Sequence, residues 1–200
     1  MVPLCWNQTA TTLKPFATLD LMQTWIALLR GINVGGHNIL PMAKLKSDLE
    51  TLQLHNVRTY IQSGNCVFSS TLKTASTLSE KIENCIEEHH GFRPQLLLLR
   101  RKDLRAAIAA NPFPEAASDP KTLHFFFLAE PASSPNMAAL EEMKSSTERF
   151  QLTSGVFYLH APDGIGRSKL AASAARQLGV VTTGRNYRTV EKLWSMVAQG

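Results

Sequence analysis

The same order of predicted strands and helices occurs twice, on either side of a proline-rich segment at residues 111–120. This segment, NPFPEAASDP, holds three of the ten prolines in the chain, and proline interrupts both helices and internal strands. Each half has the order strand, helix, strand, strand, helix, strand, followed by a further helix. That order is ferredoxin-like. The sequence therefore predicts an α+β protein made of two ferredoxin-like subdomains that pack together.

Local patterns support this equivalence of the two halves. The run Thr24–Arg30 is apolar enough for a buried strand, and Val180–Thr183 is a short strand pattern near the end of the second half. A Ser-Gly turn separates the paired strands of each half, at Ser63-Gly64 and at Ser154-Gly155. A single mixed sheet formed by both halves is the alternative arrangement.

Length and composition limit the organisation of the chain. Its 200 residues and 22.1 kDa suit one large domain or two small ones. Residues 1–21 hold one lysine, one aspartate and no continuous apolar run, so we expect either a disordered extension or a start assigned too early, ahead of Met22. The subdomains are predicted at 22–110 and 121–200, with 111–120 as the linker. No apolar run approaches a membrane span, and three cysteines without a C-x-x-C motif favour a reducing, cytoplasmic location.

The positive charge is concentrated near the end of the chain. The formal net charge is +5, and residues 161–200 carry six lysines and arginines against two acidic residues, which is +4 of that total. A local basic excess is typical of proteins that bind an anionic partner, such as a phosphorylated small molecule or a nucleic acid. A helix with a solvated basic face is the alternative.

A glycine-rich loop between the first strand and first helix is one candidate site. The segment Arg30–Asn38 has the glycine spacing of a phosphate-binding P-loop, but His37 and Asn38 stand where that motif needs Lys and Ser or Thr. No dinucleotide fingerprint is present either. The loop can bring backbone N–H groups close to a ligand or only make a tight crossover. Arg30 is a candidate for holding a charged ligand, and Asn33, Gln62 and Asn65 are candidates for polar ligand contacts.

The second candidate site is the loop that leads into a helix near Ser168. The amino end of a helix favours an anion, and the segment places two cations beside it. The candidate ligand-binding residues are Gly164, Gly166, Arg167, Ser168 and Lys169. The alternative is that the glycines turn the chain and Ser168 only caps the helix. Further along, Arg185 and Asn186 precede Tyr187 and Arg188, and this combination suits stacking on a base.

Searches for catalytic and metal motifs find no nucleophile and no ligand cluster. Ser70 and Lys73 match S-x-x-K, but the other motifs of that enzyme class are missing. His89 and His90 lie near Cys85 without a second cluster at zinc spacing. We expect no cofactor and no metal, and the sequence leaves open whether the protein is an enzyme.

Five ordered motifs resemble the bacterial family called domain of unknown function family 1697: WIALLRGINVGGHN, VRTYIQSGN, ANPFPEAA, LHFFFLAE and YLHAPDGIGRSKL. The resemblance extends from about Met22 to Leu193. It implies two similar α+β subdomains and brings no activity, cofactor or substrate with it. The chain differs from the family pattern in having Cys66 for an aliphatic residue, Tyr187 for Trp and Arg188 for Asn. The family pattern maps onto Arg30, Gly31, Asn33, Gly35, Gly36, Gln62, Ser63, Gly64, Asn65, Asn111, Gly164, Gly166, Arg167, Ser168, Lys169, Arg185 and Asn186.

The sequence predicts a protein that binds a phosphate-bearing ligand or a nucleic acid through its basic C-terminal half. Charged and amide side chains without a nucleophile favour binding over chemistry. The alternatives are an enzyme that acts on a small anionic metabolite and a regulatory module that binds another protein. If the candidate residues converge in one concave pocket, a small ligand is favoured, whereas a basic stripe would favour nucleic acid.

Overall fold

A computed structural model describes residues 22–198 of the protein. The predicted extension at residues 1–21 lies outside the described residues. Within the described part, the chain forms two four-stranded antiparallel sheets and six helices, so the prediction of a mixed α+β fold is confirmed. The alternative of one merged sheet is wrong.

The first half of the chain contains four strands and three helices. Their bounds are β1 Gln23–Arg30, α1 Met42–Thr51, β2 His55–Tyr60, β3 Asn65–Ser70, α2 Ala75–His90, β4 Gln95–Arg100 and α3 Arg101–Ala109.

The second half has the same number of strands and three further helices. Their bounds are β5 Leu123–Leu128, α4 Met137–Met143, β6 Arg149–Leu152, β7 Val156–His160, α5 Lys169–Leu178, β8 Thr182–Asn186 and α6 Tyr187–Ala198.

Strand order is equivalent in the two sheets. The first sheet has the order β2-β3-β1-β4, the second has β6-β7-β5-β8, and every neighbouring pair is antiparallel. The first strand of each half is therefore central, and five consecutive residues of β1, Trp25–Leu29, are buried. Such a continuous apolar run is typical of a strand that is covered on both faces.

One apolar core lies between the two sheets, and each sheet has a second core on its outer face. Leu104 of α3 and Leu193 of α6 belong to the shared core, together with inward residues of both sheets such as Ile26 and Phe125. Helices α1 and α2 cover the outer face of the first sheet. Helices α4 and α5 cover the outer face of the second sheet through residues such as Leu140 and Leu170. The sheets are thus the two inner layers of the molecule.

The segment at residues 111–120 has structure of its own. It contains a short 3₁₀ helix, Pro114–Ser118, and its residues Phe113 and Ala116 are buried in the shared core. Asn111 closes a local turn, because its Oδ1 accepts a hydrogen bond from the N–H of Phe113. The segment that joins the halves is therefore packed against both of them.

The last strand lies further along the chain than the sequence predicts. The sequence predicts a strand over Val180–Thr183, whereas β8 is Thr182–Asn186. Gly184 and Arg185 have no strand pattern of their own, but Gly184 pairs with Phe126 and Arg185 with Phe125. A Cβ at Gly184 would lie 3.0 Å from the Phe126 ring, so the glycine makes room for that ring. Pairing with β5 therefore outweighs the local sequence pattern.

Gly64 is a position where only glycine fits. Its φ is +74°, and a Cβ would lie 2.7 Å from Leu29 Cβ and 2.8 Å from Ile32 Cδ1. We expect Gly64→Ala to lower the free energy of unfolding by about 2–4 kcal/mol, because left-handed strain and overpacking add. The equivalent turn supplies the control: Gly155 has open space at its Cβ position, so Gly155→Ala should change stability by less than about 1 kcal/mol. Denaturant unfolding measures both, and equal losses would contradict the assignment.

His124 is a buried base on β5. It is only 7% exposed, and its Nε2 atom has no hydrogen-bond partner. Burial lowers the pKa of His124 to about 4. Above pH 6.5 both the folded and the unfolded state hold a neutral imidazole. Below that pH the unfolded state binds a proton that the folded state excludes, so stability falls as pH falls.

We therefore expect the wild type to lose about 2–3 kcal/mol through His124 between pH 7 and pH 4.5. The variant His124→Gln should lack this part of the pH dependence. Denaturant unfolding at both pH values measures the difference, and His55→Gln, at an exposed histidine, is the control that should keep the wild-type pH dependence. An unchanged pH dependence in His124→Gln would contradict the prediction.

Candidate functional site

An open cavity of ≈ 770 Å³ at the start of α5 is lined by several of the sequence-predicted residues. We call it the α5 cavity. One wall is the loop between β7 and α5, and the other is the segment 142–148, where α4 ends and the chain enters β6. Its charged lining residues are Glu142, Lys144, Glu148, Asp163, Arg167 and Lys169.

The loop wall is shaped by glycine and by a helix cap. Gly164 has a φ of +96°, which L side chains rarely adopt, and a 3₁₀ turn follows at Ile165–Arg167. Ser168 then caps α5, because its Oγ accepts a hydrogen bond from the N–H of Ala171 at 2.9 Å. The remaining N–H groups of the first turn have no partner within the helix, so this end carries a partial positive charge.

The opposite wall is held by a tight turn after α4. The N–H of Ser145 donates to Glu148 Oε2 at 2.9 Å, and Thr147 Oγ1 donates to Asp163 Oδ2 at 2.6 Å. The second bond ties the turn to the loop wall. Glu148 is only 6% exposed although it is charged. The cavity therefore has a buried carboxylate in its wall.

The cations of the cavity differ in how they are engaged. Lys144 forms an ion pair with Glu141 at 2.8 Å and lies 6.0 Å from the centre of the Phe150 ring. Arg167 and Lys169 are exposed and form no ion pair within residues 22–198. These two side chains are thus the cations that an incoming anion could contact without breaking an existing pair.

In the glycine-rich loop, Asn33 holds the backbone together. Its Nδ2 donates to the carbonyl oxygens of Leu40 (2.9 Å) and Gln62 (2.8 Å), and its Oδ1 accepts from the N–H of Leu40 (2.7 Å). Asn33 itself has a φ of +55°. The Asn33 side chain therefore connects the end of the loop at Leu40 to the turn after β2 at Gln62, and its polar atoms are engaged within the protein.

The same loop region exposes apolar side chains. Val34, Ile39 and Ile61 are 67%, 58% and 50% exposed. Ile61 also has a φ of +48°, which is a strained conformation for a β-branched residue. The turn at Ile61 therefore keeps an apolar group at the surface at some cost in backbone energy.

Asn65 and Arg185 bind each other across the two halves of the chain. Arg185 Nε donates to Asn65 Oδ1 at 2.5 Å, and its Nη2 donates to the carbonyl oxygens of Leu29 (2.7 Å) and Ser63 (2.9 Å). The Arg185 Nη1 donates to the carbonyl oxygen of the preceding residue, Gly184. No carboxylate of residues 22–198 takes part, and burial lowers the pKa of Arg185 to about 10. The guanidinium thus links the end of β1 and the β2–β3 turn to β8.

The remaining residues that the sequence singled out near the glycine-rich loop and the end of β8 each lie in a different environment. Arg30 is exposed at the mouth of a narrow cleft of ≈ 250 Å³ between the glycine-rich loop and α5. The Gln62 side chain is also exposed. Asn186 caps α6, because its Oδ1 accepts from the N–H and the hydroxyl of Thr189. Tyr187 packs on Phe125 with ring centres 5.5 Å apart, so it belongs to the core region.

The structure therefore divides the predicted site residues into two groups. Gly164, Arg167, Ser168 and Lys169 line the α5 cavity, and Gly166 lies in the adjacent 3₁₀ turn without lining it. The residues of the other group surround the glycine-rich loop and the end of β8: Arg30, Asn33, Gln62, Asn65, Arg185 and Asn186.

Sequence reasoning missed the wall formed by residues 142–148. Ser145 and Glu148 match the S-x-x-E pattern of a capping box, in which a backbone N–H bonds to a glutamate three residues later. That signal predicts the local bond. Only the packing of the turn against α5 reveals that Glu148 is buried in a cavity wall.

A second polar cluster joins α1 to α2. Asp48 accepts a hydrogen bond from His89 Nδ1 at 2.8 Å and from His90 Nε2 at 2.7 Å. Cys85 lies 3.8 Å from His89 Nδ1, the same nitrogen that donates to Asp48. Within residues 22–198, no group of three or more His, Cys, Asp or Glu side chains is placed to hold a metal ion. The cluster bonds the two helices together.

Both described cysteines are buried and unpaired. Burial raises the pKa of the Cys66 thiol to about 12. The pKa of Cys85 is also raised, first by burial and then by the nearby Asp48 carboxylate. Because the thiolate is the reactive form, neither cysteine is an activated nucleophile. In the described part of the chain, no helix has the length and hydropathy that a membrane crossing requires.

Comparison with known proteins gives a family and a related structure. The family model described as "Protein of unknown function (DUF1697)" matches residues 22–158, a shorter span than the motifs from Met22 to Leu193 suggest. The chain is similar to the conserved bacterial protein SP0830 from Streptococcus pneumoniae, with 27% identity and a TM-score of 0.68. That similarity covers 88% of this chain and 99% of the other. No curated protein matches the chain.

The Arg185 contacts lead to a stability prediction. Arg185→Lys keeps the charge but loses the planar set of N–H donors, so Asn65 Oδ1 and the two first-half carbonyls lose their partner. We expect a loss of about 2–4 kcal/mol in the free energy of unfolding. Arg188→Lys, at the exposed arginine three residues later, is the control and should change it by less than about 0.5 kcal/mol. A similar small effect for both variants would show that the Arg185 contacts contribute little.

Proposed function

We propose that this chain, which belongs to the DUF1697 family of proteins of unknown function, binds a small phosphate-bearing molecule in the α5 cavity. The carrying observation is that Arg167 and Lys169 line this cavity and form no ion pair within residues 22–198. Both lie beside the amino end of a ten-residue helix, where N–H groups and the helix dipole favour an anion.

The dimensions of the site support a small ligand. A volume of ≈ 770 Å³ falls within the range of roughly 300–1,000 Å³ that is usual for small-molecule sites. Arg167 presents a planar donor pair that matches two phosphate oxygens, and Lys169 adds a second charge. Phosphate is thus bound by the guanidinium, the ammonium and the first-turn N–H groups together.

The distribution of cations favours a small molecule over a nucleic acid. Arg167, Lys169 and Arg176 belong to α5 and its entrance, on the outer face of the second sheet. Arg188 and Lys192 belong to α6, which packs against the inner face of that sheet. The basic residues therefore do not form one stripe, and a backbone of regularly spaced phosphates has no continuous surface to follow.

The chemistry of the lining favours binding over catalysis. The described residues around the α5 cavity include no histidine and no cysteine, and the Ser168 hydroxyl is used in the helix cap. The other serine hydroxyl of the lining, that of Ser145, is hydrogen-bonded to Thr147 Oγ1. We therefore propose a binding protein, with an enzyme that acts on a small anionic metabolite as the alternative.

The shared strand order supports a further proposal, that the two halves are a duplicated ferredoxin-like unit. Both sheets place the first strand of their half between the third and fourth, as in that fold. We also propose a cytoplasmic location, which the unpaired Cys66 and Cys85 support.

Binding of defined phosphates tests the proposed function. Isothermal calorimetry with inorganic phosphate, glycerol 3-phosphate and ribose 5-phosphate should give saturable binding of at least one compound to the wild type. We expect Arg167→Ala to weaken it by about 1.5–3 kcal/mol, the range for hydrogen bonds to charged groups. Arg167→Lys should recover part of the loss, because it keeps the charge without the planar donors.

Arg188→Ala is the matched control, because Arg188 is an exposed arginine on the other side of the second sheet. It should bind the phosphates as the wild type does. If no phosphate binds, or if Arg167→Ala changes stability without changing affinity, the proposal is wrong. Binding of single-stranded RNA that weakens steeply with salt and depends on Arg188 would favour the nucleic-acid alternative instead.

A further inference from the structure

The two walls of the α5 cavity carry unpaired charges of opposite sign. Arg167 and Lys169 stand on the loop wall, while Glu142 and Glu148 stand on the wall formed by residues 142–148. Within residues 22–198, no ion pair joins one wall to the other. The third carboxylate, Asp163, is bonded to Thr147. The free cations and the free carboxylates therefore lie on either side of an open volume.

Glu148 is the informative member of this set. It is 94% buried, since only 6% of its surface is exposed, and its Oε2 accepts one hydrogen bond, from the N–H of Ser145. Its Oε1 forms no hydrogen bond or ion pair within the described residues. Glu148 lines the α5 cavity, so a ligand in the cavity lies beside this carboxylate.

A buried carboxylate is stable only when a cation or several hydrogen-bond donors compensate for lost hydration. Arg149, the next residue in the chain, is paired with Glu115, and Lys144 is paired with Glu141. Within residues 22–198, Glu148 therefore has one backbone donor and no ion pair. A ligand group that is positively charged and rich in N–H donors would complete its surroundings.

We propose that the α5 cavity binds a phosphate ester that also carries a protonated amine. The inference rests on the proposed phosphate site at Arg167 and Lys169, and it assigns the opposite end of the ligand to Glu148. An ammonium group donates to Glu148 Oε1 while the phosphate contacts the loop wall. A ligand with a second anionic group in place of the amine is repelled by Glu148 and Glu142.

Matched pairs of ligands test this directly. Calorimetry compares 2-aminoethyl phosphate and 3-aminopropyl phosphate with ethyl phosphate and propyl phosphate, which have the same chains without the amine. For at least one chain length, the wild type should bind the amino compound at least tenfold more tightly. Glu148→Gln should reduce this preference to about twofold or less, and its affinity for the alkyl phosphate should not fall.

Glu148→Gln suits the test because its amide oxygen still accepts from the Ser145 N–H, and an unchanged melting temperature verifies the fold. Glu191→Gln, at an exposed glutamate on α6, is the control and should keep the wild-type preference. If alkyl and amino phosphates bind wild type equally, or if Glu148→Gln retains the preference, this inference is wrong while the phosphate site stands. If neither class binds, the inference and the proposed function both fail.

Discussion

Burial of the inner faces of both sheets in one apolar core determines where the rest of the chain can lie. Phe125, Phe127 and Tyr158 from the second sheet meet Ile26 and others from the first, and α3 and α6 close the same core. Apolar burial is the main favourable term in folding, so this contact is the strongest constraint on the two halves. The remaining helix pairs must cover the outer faces. The α5 cavity lies where α4 ends and α5 begins on such an outer face.

The Arg185 guanidinium makes a second, polar connection between the halves. Its acceptors are an amide oxygen and backbone carbonyls. Hydrogen bonds to these atoms are directional, whereas apolar packing is not. Desolvation of a guanidinium is costly, and burial accordingly lowers the pKa of the half-buried Arg185 to about 10. The hydrogen bonds to the amide and carbonyl oxygens offset part of that cost. The interaction sets the position of the glycine-rich loop relative to β8.

Within the described residues, the α5 cavity is lined by cations that have no ion-pair partner and by a buried carboxylate that has few hydrogen-bond donors. Among residues 22–198, Arg167 and Lys169 form no ion pair, and Glu148 is buried with a single backbone donor. An ion pair between the walls would compensate both, but none forms within residues 22–198. Opposite charges on the two walls select ligands by complementarity, because each wall attracts the ligand group of opposite sign.

The sequence by itself determined the order of the elements, the repeat of that order in both halves and the loop that carries Arg167 and Lys169. These features depend on hydrophobic periodicity, turn residues and a helix cap, which act between residues close in the chain. Only the tertiary structure decided that Asn65 and Arg185, predicted as ligand contacts, bind each other across 120 residues. It also decided that β8 continues through Gly184 and that Glu148 is buried. Burial and hydrogen-bond partners of polar side chains depend on what distant segments bring beside them, and no local pattern records that.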